Sequence, residues 1–130
     1  MAEIIKTWPA SLSARVAARI FGPMPSFSTY FFTIGRGKPK DHIDRLWFTY
    51  QGRILGSFHV AEVIRNDGSL PRLHRLDGAE SAWQMNPDAW IAVCPSSCKR
   101  LRERVYMSGF RGWRYFSIDS YRLTPDARVR

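Results

Sequence analysis

The residues best equipped for chemistry lie in one run, Cys98 to Phe116, CKRLRERVYMSGFRGWRYF. It sets Lys99, Arg100, Arg102, Arg104, Arg111 and Arg114 against one acid, Glu103. Between the cations stand Tyr106, Phe110, Trp113, Tyr115 and Phe116. Guanidinium groups pair with phosphate through a planar fork, and aromatic rings stack on bases. A run that supplies both points to a polyanionic partner, nucleic acid first. The plainer alternative is a solvated basic helix leading into a core strand, because charge runs commonly mark a solvent-facing surface.

Two shorter pieces add to this. Gly35-Arg36-Gly37-Lys38-Pro39-Lys40 is a glycine-rich basic loop whose backbone N–H groups, with Lys38 or Lys40, can cradle a phosphate. It lacks the G-x4-G-K-[ST] pattern of a P-loop, and a plain basic surface loop has the same composition. In Gly109-Phe110-Arg111-Gly112-Trp113 the glycines let backbone approach a ligand, while Arg111 and Trp113 can clamp a planar base. The alternative is a turn whose Phe110 and Trp113 close the core. The candidate nucleic-acid contacts are therefore Arg36, Lys38, Lys40, Arg100, Arg104, Arg111, Trp113 and Arg114. The sharpest expectation is that Arg111, Trp113 and Arg114 face the Lys38 loop.

Groups for covalent or acid–base chemistry are sparse. His59 follows Ser57 on one face of an expected strand, and Lys38, Asp41 and Tyr50 are the other candidates should the chain be an enzyme. Acid–base work needs groups within hydrogen-bond reach, which spacing alone does not supply. Cys94 and Cys98 form a lone C-x3-C, and the three histidines, His42, His59 and His74, are scattered. A structural zinc site draws four ligands from such residues, so no metal and no cofactor are expected. Two buried or half-buried thiols are the ordinary reading.

The totals support a polyanion partner. Twenty basic residues, sixteen of them Arg, face eleven acids, giving a net charge of +9 over 130 residues. Such a surplus concentrates polyanions and speeds their encounter. A GC-rich genome also enriches Arg over Lys, which accounts for the ratio but not for the surplus. Hydrophobic content of 45% is that of an ordinary globular protein, and the length suits a single domain over residues 1–130 with a loose tail from about residue 124. No apolar run approaches the roughly 20 residues that span a bilayer, and the first residues do not resemble a signal peptide. A cytoplasmic protein without a membrane partner is expected.

The positioning elements follow from local pattern. Leu12, Val16 and Ile20 predict a helix over Pro9 to Phe21, capped by Ser11 and stopped at Gly22-Pro23. Tyr30 to Ile34 is a strand. Leu46 to Tyr50 and Ile54 to Ile64 form a hairpin around Gln51-Gly52-Arg53, with Ile54, Gly56, Phe58 and Val60 on one face and Leu55, Ser57, His59 and Ala61 on the other. Asn66-Asp67-Gly68 is a turn, residues 66–82 are irregular, and Trp83 to Asn86 forms a helical turn. Trp90 to Val93 is a strand. A helix over Lys99 to Met107, capped by Ser96 or Ser97 and stopped at Gly109, buries Leu101 and Val105. Trp113 to Leu123 is a last strand. Hairpins with few helices and no repeated βαβ units predict an α+β domain, a small mixed β-barrel decorated by two or three helices.

The run LWFTYQGRILGSFHVAEVI, Leu46 to Ile64, resembles the hairpin of PUA-like domains, and among them the ASCH group, with its G-x-φ-φ-G-x-φ-x-φ pattern in Gly52 to Val60. Lys38-Pro39-Lys40-Asp41 is similar to the ASCH signature G-x-K-x-x-[DE]-x-R in its lysine and acid. The glycine is displaced, since position 36 is Arg, and so is the arginine, since position 43 is Ile and Arg45 lies two residues on. The resemblance implies a barrel with a cleft that binds RNA or a modified base, with Lys38 and Asp41 beside it. Some ASCH members cleave RNA or hydrolyse modified nucleosides, which makes such an enzyme the second expectation. A protein-interaction module of a mobile element or phage is the third. The leading expectation is a nucleic-acid-binding domain, with RNA ahead of DNA.

Overall fold

The computed structural model describes residues 2–7, 30–34, 42–65, 74–75, 89–110 and 112–124. Seven strands, β1 (Ala2–Thr7), β2 (Tyr30–Ile34), β3 (Ile43–Tyr50), β4 (Arg53–Arg65), β5 (His74–Arg75), β6 (Ala89–Arg100) and β7 (Trp113–Tyr115), form one sheet. Their order is β5-β2-β6-β4-β3-β1-β7. A short helix, α1 (Ile118–Arg122), follows β7.

The β3–β4 hairpin organises the sheet. Tyr50 pairs with Arg53 across Gln51-Gly52, and both turn residues take positive φ, 50° and 82°. Positive φ at both central residues is what a type I′ turn requires, and its twist matches that of the flanking strands. Glycine adopts it freely, whereas Gln51 does so against its own Cβ. Beyond the hairpin, β1 lies parallel to β3 and antiparallel to β7, and β6 lies antiparallel to both β4 and β2.

Alternation along the strands gives two faces. The Phe58 face carries Ile4, Leu46, Phe48, Phe58, Ile91 and Val93, each fully buried. The Phe48 and Phe58 rings meet edge to face at 6.1 Å. The Trp47 face carries Ile5, Trp47 and Ile54. Residues after β6 fold back over it, packing Val105, Leu101, Met107, Phe110, Phe116 and Tyr121 against those three.

The structure corrects several expectations. The barrel decorated by two or three helices is overturned: the sheet is open, with β5 and β7 at its two edges, and α1 is the one helix among the described residues. Closure would need those edges to pair, but β5 pairs with β2 and β7 with β1. The helix expected over Lys99 to Met107 is extended chain. Leu101 N–H donates to the Leu55 carbonyl at 2.9 Å, Ile54 N–H to the Val105 carbonyl at 2.9 Å, and Met107 N–H to the Gly52 carbonyl at 3.0 Å. The backbone of this segment thus bonds to the start of β4 and its turn rather than to helical turns of its own.

The strand expected from Trp113 to Leu123 stops at Tyr115. There Ser117 turns the chain, its hydroxyl accepting from Ser120 N–H to cap α1. The expected faces of β4 change at its start. A register shift between Phe48 and Thr49 sends Ile54 to the Trp47 face and Leu55 to the Phe58 face. β1 was not foreseen, and β5 lies in the stretch expected to be irregular. The expected helix over Pro9 to Phe21, the 35–40 loop, the Asn66-Asp67-Gly68 turn, the helical turn at Trp83 to Asn86 and the tail beyond Thr124 lie outside the described residues.

Candidate nucleic-acid interface

The basic run is positioned by two departures from regular pairing along β4. Ser57 pairs with Lys99 and His59 with Cys94, so residues 95–98 bulge out of the ladder. Ser97 closes the bulge: its hydroxyl accepts from His59 N–H at 2.8 Å and donates to the Cys94 carbonyl at 2.6 Å. A side chain here does the work of a missing ladder partner, and Pro95 is tolerated because a bulge needs no donor from it.

The second departure lies between Leu101, bonded at Leu55, and Val105, bonded at Ile54. Arg102, Glu103 and Arg104 loop out between these anchors and are exposed. With Lys99 and Arg100, also exposed, they make a cationic edge beside β4. Glu103 turns away from these cations to Arg122 of α1, 3.2 Å from its Nη2. Arg122 is held from the other side by Asp119 at 3.7 Å. Among the described residues, Lys99, Arg100, Arg102 and Arg104 have no acid partner.

Trp113 and Arg114 do not join them. β3 and β1 separate β7 from β4 and its cationic edge. Within β7 the two residues point to opposite faces. Trp113, opposite Lys6, packs on the Phe58 face and meets Tyr115 edge to face at 5.1 Å. Tyr115 is 49% exposed. Arg114, opposite Ile5, lies over the Phe110 ring at 4.1 Å, a cation–π contact. The aromatic residues are therefore largely packing elements, with Tyr115 the most open of them. Arg36, Lys38, Lys40, Asp41 and Arg111 lie outside the described residues.

Tyr50, named as a catalytic candidate, sits in the core at 5% exposure, with Gln51 Nε2 donating to its hydroxyl at 3.2 Å. Ser57 and His59 do share the Trp47 face, but Ser57 is fully buried and its Oγ accepts from Arg45. Cys94 stands opposite His59 on the Trp47 face, whereas Cys98 packs on the Phe58 face. Burial pushes the Cys98 thiol up to about 11, against the pull of nearby Arg100. Cys94 and Cys98 are not joined in a disulfide. Among the described residues, no three of His, Cys, Asp and Glu stand close enough together to hold a metal, and no helix is long and apolar enough to cross a membrane.

One polar cluster escaped the sequence reading. Arg45 Nη1 donates to Ser57 Oγ at 2.9 Å, and its Nε lies 3.5 Å from Glu3 Oε1. The same carboxylate oxygen accepts from Trp47 Nε1–H at 3.1 Å. Glu3 and Arg45 are far apart in sequence and meet only because β1 pairs with β3, so no local pattern announces them. No family model, curated protein or solved structure matches this chain.

Proposed function

We propose that this chain binds nucleic acid, with the cationic edge Lys99–Arg104 as its phosphate-contacting element. The observation that carries the reading is the disposal of Glu103. The one acid in the run pairs with Arg122, which leaves Lys99, Arg100, Arg102 and Arg104 exposed and, among the described residues, without an acid partner. Exposed cations in such a row attract phosphates without reading sequence. The net charge of +9 adds long-range attraction. RNA is put ahead of DNA on the likeness of the Leu46–Ile64 hairpin to PUA-like domains, and on nothing else.

Anisotropy titrations of RNA and DNA oligonucleotides across salt concentration test the proposal. Affinity should fall steeply with salt. The double variant Arg102→Ala/Arg104→Ala should reduce the log–log slope by about 1.4, since each single-strand phosphate contact contributes about 0.7. Salt-independent binding, or a variant with the wild-type slope, would refute it.

A further inference from the structure

The Trp47 face changes character along its length. One end is apolar and covered by the chain returning after β6. The other end is polar, and the register assembles it from four strands. Arg45 of β3 stands opposite His59 of β4, Ser57 of β4 opposite Lys99 of β6, and Glu3 of β1 opposite Arg45. Directly opposed residues share a face, so Arg45, His59 and Lys99 surround Ser57 on one side of the sheet.

Arg45 is held in place. Its Nη1 is fixed on buried Ser57 and its Nε faces Glu3, while 27% of its side chain remains open to solvent. Two of its edges are thus occupied within the protein, and the guanidinium is oriented before any ligand arrives. His59 and Lys99 are exposed beside it. The His59 backbone is fixed by Ser97. Preorganised donors lose less on binding than free ones.

We infer that Arg45, His59 and Lys99 form a subsite for a phosphate group. Arg45 supplies a braced planar donor, Lys99 a mobile charge, and His59 an imidazole N–H beside them. Among the described residues, the charged and titratable groups around His59 are Arg45 on β3, Lys99 and Cys94 on β6, Glu3 on β1, and Glu62 farther along β4. Glu3 is engaged by Arg45 and Trp47. Glu62, opposite Ala92 on the same face, is the acid that opposes anion binding there. The subsite deepens the nucleic-acid reading by giving one phosphate a seat, and rests on that reading only for the identity of the chain that carries the phosphate.

Two titrations separate the inference from that reading. In the first, inorganic pyrophosphate is added at pH 6.0 and 7.5 while the His59 imidazole is followed by NMR, with His59→Gln for assignment. Pyrophosphate should shift the His59 imidazole resonances saturably. At pH 6.0, His59→Gln and Lys99→Ala should each weaken pyrophosphate by about tenfold, one charge-assisted contact being worth about that factor. Glu62→Gln should tighten it. An unmoved imidazole, or wild-type affinity in both single variants, overturns the subsite.

In the second, a ten-nucleotide oligouridylate is titrated into the same proteins. Binding weakened in His59→Gln supports the subsite. Binding of wild-type strength in His59→Gln overturns it while the reading stands. Pyrophosphate binding without oligonucleotide binding supports the subsite and removes the reading.

Discussion

Arg45 bonds Ser57 on the diagonal of the β3–β4 ladder. Its own backbone partner is His59 and that of Ser57 is Trp47, yet the guanidinium crosses to Ser57 Oγ at 2.9 Å. This satisfies a hydroxyl that is fully buried. Diagonal neighbours are within reach only of long side chains, which Arg supplies.

Ser57→Ala should therefore cost about 1 kcal/mol, the net worth of one such bond, with the partly exposed guanidinium rehydrating. Arg45→Ala should cost more, since it strips partners from both Ser57 and Glu3. Urea unfolding of the two single variants and the double variant gives the coupling directly. A cycle that closes with zero coupling would show that the bond contributes nothing.

Ser97→Ala should release the bulge before it unfolds the sheet. The variant deprives His59 N–H of its acceptor and the Cys94 carbonyl of its donor. Hydrogen exchange at the His59 amide should quicken by tenfold or more, following a local loss of about 1.4 kcal/mol or above. An unchanged exchange rate would mean that neighbouring pairs hold the bulge without the hydroxyl.

Position 51 offers stability. Gln51 holds φ of 50° in the turn, where a Cβ is unfavourable. Gln51→Gly should stabilise by about 0.5–1 kcal/mol, and Gly52→Ala, at φ of 82°, should destabilise by a similar amount. Thermal melts suffice, and the opposite order of melting temperatures would contradict the turn geometry.

Cys98 ties stability to alkaline pH. Its thiol is raised from 9.0 to about 11 by burial, so above pH 9 the unfolded chain loses this proton while the native chain keeps it. Where the native state binds more protons, stability falls as pH rises. The contribution is intact below about pH 9 and drains away up to about pH 11. Stability measured at pH 8 and pH 10.5 should therefore drop more in wild type than in Cys98→Ala. Equal drops would remove the thiol as the cause.

The sequence made the hairpin readable because its information is local: β-rich arms, a two-residue turn and a glycine at position 52. The basic segment misled for a reason of periodicity. Leu101 and Val105 are four apart, which puts them on one side of a helix, but here they share a face because each bonds to β4 while the residues between them loop out. β1 was invisible because Ile4 and Ile5 are buried on opposite faces, so a central strand shows no alternation. Of the candidate site, the cations were legible as composition. Their separation from Trp113 and Arg114 was not, because strand order across the sheet leaves no trace in spacing.

β1 sits between β3 and β7, bonded to both. Thr7 Oγ1 accepts from Phe110 N–H, a residue 103 positions away, and Glu3 O accepts from Phe116 N–H. On the ribosome the first strand of this sheet thus emerges before the strand that completes its ladder. Until Trp113–Tyr115 has been made, Ile4 and Ile5 belong to a strand with one bare edge, the kind of edge that recruits other chains. Translation speed through residues 8–112 sets how long that exposure lasts.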